Sequence, residues 1–321
     1  MLLSILYILV GVVVVLWGAD RLTEGAVGVA ERLHIPQLVI GLTIVAIGTS
    51  MPEFCVSFVS ALKGTADLAV GNVVGSNIFN SLMIVGITAM VAPMTILKNT
   101  VRLDIPFALL ASIMLAAFCF DDGELTRLDA GILFGLFVVF MFITLQHAKK
   151  GKKEQGARSE KQEASSKEQG EEMPVWKIVL LILVGLACLV LGSNVFVDGA
   201  TKVATALGIS DAVIGLTVVA MGTSIPELAT SVVAARKGNS GIAIGNVLGS
   251  NVFNILLVIG LTGVISPMHI QGITWIDLSM LILSMVLLLL FSYTKYTIAR
   301  WEGAVLTTLF VGYITWVIMN L

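Results

Sequence analysis

Ten long apolar runs order the chain, at residues 2–33, 36–62, 68–92, 101–120, 128–146, 175–207, 210–235, 242–266, 272–293 and 299–320, with short polar breaks between most of them. A helix of about 20 apolar residues crosses the hydrocarbon core of a bilayer, so each run is read as a spanning helix. Leu2–Trp17 is short for a span, but Gly18–Leu33 keeps apolar residues at helical spacing, which predicts one long helix over 2–33. No Lys or Arg precedes this run and no small-residue cleavage pattern follows it, so a retained first helix is expected rather than a cleaved leader. The expected fold is an all-α polytopic membrane protein of ten transmembrane helices.

One stretch departs from this pattern. Gln146–Pro174 holds seven of the 19 Lys/Arg and six of the 21 Asp/Glu, interleaved with Gly, Ser and Gln. Such a composition buries no core and is expected to be a flexible hydrophilic loop. It divides the chain into halves at 1–146 and 175–321, with the loop at 147–174. Composition excludes other classes: 57% of the 321 residues are hydrophobic and 12% charged, with mean hydropathy +0.99, which fits neither a soluble enzyme nor a disordered chain. A net charge of −2 offers no basic surface for nucleic acid. Cys55, Cys119 and Cys188 lie far apart in apolar runs, without metal-ligand spacing, and no cofactor is expected.

Self-comparison adds most. Val39–Phe54 (VIGLTIVAIGTSMPEF) matches Val213–Leu228 (VIGLTVVAMGTSIPEL) at 12 of 16 positions, and Gly71–Asn80 (GNVVGSNIFN) matches Gly245–Asn254 (GNVLGSNVFN) at eight of ten, all at an offset of 174. Gly18 with Gly192, Glu24 with Asp198 and Pro93 with Pro267 keep that offset. Five helices per half is an odd number, so the halves are expected to be two inverted repeats, the layout of secondary transporters with sites near the midplane. Arg32, Lys98, Arg102, Arg236, Lys237, Lys295 and Arg300 would share a side with the central loop. Lys63, Arg127, Lys202 and the acidic cluster Asp121, Asp122, Glu124 and Asp129 would face the other side. The positive-inside rule then puts the loop in the cytoplasm and both termini outside.

The repeated segments hold the polar atoms. Glu53 is the single charge between Ile35 and Leu62, and Glu227 the single charge between Ala212 and Ala235. A carboxylate at mid-membrane costs about 2.5–3.5 kcal/mol or more, and two without a basic partner also repel. A bound cation supplies the missing counter-charge. Thr49 with Glu53, Ser76 with Asn80, Thr223 with Glu227 and Ser250 with Asn254 are each four apart and share a helix face. All present oxygen, the ligand of hard cations such as Ca2+ and Na+. Pro52 and Pro226 remove the helical bonds to the carbonyls of Gly48 and Gly222, and the carbonyls of Ala46 and Ala220 sit about a turn earlier, expected to point inward. Asn72, Asn77, Asn246 and Asn251 suit helix packing and site contact equally, as do Ser57 and Ser231 for core bonding or the ion path. Gly71–Gly75 and Gly245–Gly249 are small-xxx-small patterns that predict close helix approach.

At these residues the sequence resembles the Ca2+:cation antiporter superfamily, in its prokaryotic sodium/calcium exchanger branch. GTSMPE with GNVVGSN, and GTSIPE with GNVLGSN, look like that family's two α-repeats. The resemblance implies exchange of Na+ for Ca2+ across the plasma membrane. It implies ion sites at Thr49, Ser50, Glu53, Ser76 and Asn80 and at Thr223, Ser224, Glu227, Ser250 and Asn254, with carbonyls from Ala46 and Ala220. In that picture the first helix of each half slides past a fixed core. Some archaeal relatives carry aspartate where Asn254 stands, which leaves stoichiometry and K+ coupling open; a Ca2+/H+ exchanger and a passive cation channel are the other readings. Ca2+, Na+ and the lipid bilayer are the expected partners, and one chain the expected functional unit.

Overall fold

The computed structural model describes residues 2–120, 123–162, 173–208 and 220–320. Helices α1 (Leu2–Leu33), α4 (Ala66–Val91), α5 (Thr100–Phe120), α6 (Arg127–Gln162), α7 (Val175–Ala206), α10 (Ser240–Ile265), α11 (Trp275–Tyr293) and α12 (Arg300–Met319) each contain a stretch long and apolar enough to cross a membrane. Another span is broken: α2 (Gln37–Thr49) and α3 (Met51–Leu62) meet at Ser50 with a bend of 51°. In the second half the matching region shows α8 (Ala220–Gly222) and α9 (Ile225–Arg236), while the start of the expected 210–235 helix, with Val213–Val219 of the repeat, lies outside the described residues. So do Asp121 and Asp122 of the acidic cluster.

The hydrophilic segment differs from expectation. Rather than beginning as loop at 147, α6 continues to Gln162. Lys, Arg, Glu, Gln and Ala are good helix formers, and a helix already nucleated in the span propagates at one bond per residue.

Two short antiparallel pairings tie distant loops together. β1 (Met94–Thr95) pairs with β4 (Thr297–Ile298), and β2 (Glu124–Leu125) with β3 (Met268–His269). Asp67 accepts from the backbone N–H groups of Gln271 and Gly272 at 2.7 and 2.8 Å, while Gln37 donates to Asn239 at 3.0 Å. The loop carrying Lys98 thus meets the loop carrying Lys295, and the loop after Arg32 meets the one after Lys237.

The halves interlock. Gly86 of α4 lies against Gly303 and Thr307 of α12, and Gly260 of α10 against Phe134 of α6. Gly245 and Gly249 of α10 pack on Leu38, Gly41, Leu42 and Ala46 of α2, as the small-xxx-small pattern predicts. For Gly71 and Gly75, the one near neighbour among the described residues is Ile273, beside Gly71.

Helices α1 and α7 form a long pair. Gly11, Gly18 and Gly25 recur every seven residues in α1, and Gly185, Gly192 and Gly199 do so in α7. Gly11 lies against Gly192 and Phe196, Gly18 against Gly185 and Leu189, and Gly199 against Ser4 and Ile8, so the helices run antiparallel with backbones in close approach. This seam lay in the sequence as two glycine heptads, but spacing alone does not say which helix each faces.

Candidate functional site

The broken helices and the two inner helices α4 and α10 converge in the centre of the bundle. Glu53 and Glu227 are each 1% exposed, in the first turn of α3 and α9, just past the breaks. Proline sits at the second position of each helix, where its missing N–H removes no helical bond of its own segment. The helix dipole there favours a negative side chain.

The bonding is crosswise. Ser50 of the first half donates to Glu227 Oε1 at 2.8 Å and lies 2.8 Å from Ser250 Oγ. Ser224 of the second half donates to Glu53 Oε1 at 2.8 Å and approaches Ser76 Oγ at 3.3 Å. Thr49 lies beside Glu227 and Thr223 beside Glu53. Each carboxylate is thus held by the hydroxyls of the other half, and the two acids are close enough to repel. None of the ion pairs described involves either glutamate.

Further acceptors stand around the acids. Glu53 Oε2, Glu227 Oε2 and Asn80 Oδ1 are buried and take no hydrogen bond among the described residues, and neither side-chain polar atom of Asn254 has a partner. Both asparagines begin π-helical turns, Phe79–Ile84 and Phe253–Ile259. A π turn leaves a local gap in the ladder and is frequent at functional sites. Among the described residues no cluster of three His, Cys, Asp or Glu is present. The donor set is carboxylate, hydroxyl and amide oxygen, which suits a hard cation rather than zinc or copper.

The backbone carbonyls behave differently from expectation. Ala46 O is not freed by the break; it accepts from Ser50 N at 3.0 Å and lies 3.4 Å from Thr49 Oγ1. Helical bonding persists up to Ser50 because Ser50, unlike Pro52, has an N–H to give. In the second half Ser224 N bonds Met221 O instead, at 3.1 Å. Ser193 of α7 donates to Gly222 O at 2.6 Å, a bond that spacing did not anticipate.

The four asparagines divide. Asn72 donates to Glu53 O at 3.3 Å and Ser57 Oγ at 2.9 Å, and Asn246 to Glu227 O at 3.3 Å and Ser231 Oγ at 3.1 Å, so each braces its own glutamate helix. Asn77 and Asn80 donate to Asn251 O and Oδ1 at 3.3 and 3.1 Å and thereby join α4 to α10. A cavity of about 330 Å³ reaches Ser76 and Asn72 from the side of Gly272, Asp277 and Asn320.

Comparison with known proteins agrees with this architecture. The family model "Sodium/calcium exchanger protein" matches residues 3–146 and 177–319. The chain is 37% identical to the putative antiporter CaxA of Alkalimonas amylolytica, covering 98% of each. It is 32% identical to the sodium/calcium exchanger MaX1 of Methanosarcina acetivorans, covering 97% of each. Among solved structures it superposes on the sodium-calcium exchanger NCX_Mj soaked with Na+ and Sr2+ with TM-score 0.82 and 30% identity, over 98% of both chains. The chain belongs to the sodium/calcium exchanger family of Ca2+:cation antiporters.

Proposed function

We propose that this multi-pass antiporter exchanges Na+ for Ca2+ by alternating access, with both ions competing for the centre built on Glu53 and Glu227. The observation that carries this reading is the pair of buried acids, without a basic partner among the described residues and held crosswise by Ser50 and Ser224. Two carboxylates neutralise one Ca2+ or a set of Na+, not both loads together, so binding one expels the other. Thr49, Thr223, Ser76, Ser250, Asn80 and Asn254 complete the oxygen set, and this reading adds the carbonyls of Ala46 and Ala220 as further ligands.

The same reading takes the chain as ten spanning helices in two inverted halves, acting as a monomer in a prokaryotic inner membrane. The hydrophilic segment 147–174 lies in the cytoplasm and both termini outside. The pairing of β1 with β4, and of β2 with β3, is consistent with the grouping of these loops on common sides, and the excess of Lys and Arg on the side of 147–174 supports its cytoplasmic placement. The cavity beside Ser76 then opens outward.

The test is Ca2+ uptake into Na+-loaded vesicles carrying the purified protein. An outward Na+ gradient accelerates uptake; uptake indifferent to Na+ sinks the reading. Replacing the Na+ gradient with a pH gradient, or adding K+, separates the proton-coupled and K+-dependent alternatives.

A further inference from the structure

Inverted halves exchange their conformations when access switches, so each contact between gate helices and core has a mate 174 residues away that forms in the opposite state. Applied contact by contact, that relation exposes a bias. α1 packs along α9, and Lys237 at the end of α9 pairs with Asp20 of α1. The mates would be α7 along α3 and Lys63 with residue 194. No comparable α7–α3 packing exists here among the described residues, and residue 194 is Asn, exposed on α7. Likewise Ser193 holds Gly222 O, whereas its mate over Gly48 is Ala19, which has no hydroxyl. At present α7 covers both breaks, Leu186 over Gly48 and Val197 over Gly222.

We infer that Asp20 and Ser193 are positioning residues that hold the exchanger with the central-loop side closed, because the opposite state can make neither contact. This rests on the alternating-access reading above. The asymmetry sets which face presents the site at rest, and therefore the apparent ion affinity at each face.

The experiment uses the full chain with two readouts: ion-free hydrogen exchange of 225–236 against 51–62, and half-saturating Ca2+ at each face in oriented vesicles. Asp20→Asn and Ser193→Ala are expected to raise exchange of 225–236 relative to 51–62. The ion pair is about a third exposed, so Asp20→Asn should act by roughly two- to fivefold. The buried hydroxyl should act by roughly three- to tenfold. Half-saturating Ca2+ rises at the face opposite the loop and falls at the loop face. Asn194→Asp and Ala19→Ser, which supply the missing mates, move both readouts the same way, while Asp20→Glu and Ser193→Thr retain wild-type values. Unchanged ratios, or Ca2+ affinity shifting in one direction at both faces, overturn the inference. Hydrogen exchange that shifts as expected in a protein without Na+-driven uptake leaves the bias standing and refutes the Na+/Ca2+ reading instead.

Discussion

The two half-sites carry the same chemistry in different surroundings. Ser50 and Ser224 make mirror bonds of equal length to the opposite glutamate, and Asn72 and Asn246 brace the two acid-bearing helices in the same way. Around that matched centre the contacts diverge. Asn246 is wholly buried while Asn72 is half-buried beside the cavity, and Gly222 O has a hydroxyl donor from α7. Under the exchange cycle proposed above, binding depends on what the halves share and access on where they differ. A cation needs oxygen from both sides at once; a gate needs one side looser than the other.

The largest expected effect tests the shared part. Glu53→Gln or Glu227→Gln removes half of the counter-charge, and Na+-driven Ca2+ uptake should fall by about a hundredfold or more in either variant. Survival of exchange in one would break the equivalence of the acids. Next come Ser50→Ala and Ser224→Ala. Each deletes a hydrogen bond to a buried carboxylate of the opposite half, so Ca2+ affinity by titration calorimetry should weaken roughly tenfold or more in both. Marked inequality between them would show that the crosswise bonds differ in weight.

The gate seam should yield a smaller, mainly structural change. In Gly185→Val the added Cβ meets Leu22 N at 2.6 Å and Gly18 O at 2.9 Å, so α1 and α7 must separate. We expect a loss of about 1–3 kcal/mol in unfolding experiments in detergent, together with slowed exchange. The smallest contrast compares Asn246→Ala with Asn72→Ala. Asn72 loses two bonds and Asn246 three, the third accepted from Thr49 Oγ1 at 3.1 Å, and the buried Asn246 also leaves orphaned groups without access to water, so it should cost about 1–3 kcal/mol, with less for Asn72. Thermal melts of the two variants side by side measure the difference.

Much of this was legible before any coordinates. Among the described residues, apolar runs marked the long helices within a few residues at most ends, because lipid demands long apolar helices. Glu53 and Glu227 stood out because a lone acid among apolar residues needs a partner. Less legible were the bonds of Asn77 and Asn251, whose partners lie on another helix, and the Ser193 bond, which spans 29 residues across a helix pair. The helical stretch to Gln162 is not legible in the sequence, since charge pattern reports burial rather than backbone conformation.

Sequence alone determined that this chain lives in a membrane, that it is a doubled unit, and that two acids with hydroxyl and amide neighbours form its polar heart. Periodicity and an unbroken offset are properties of one strand of text, readable without folding it. Only the tertiary structure decided that each serine serves the other half's glutamate, that Ala46 keeps its helical bond, and that α1 rests on α9 while α7 leaves α3 free. Those are choices between partners far apart in the chain, made by packing and hydrogen-bond geometry that no local pattern encodes.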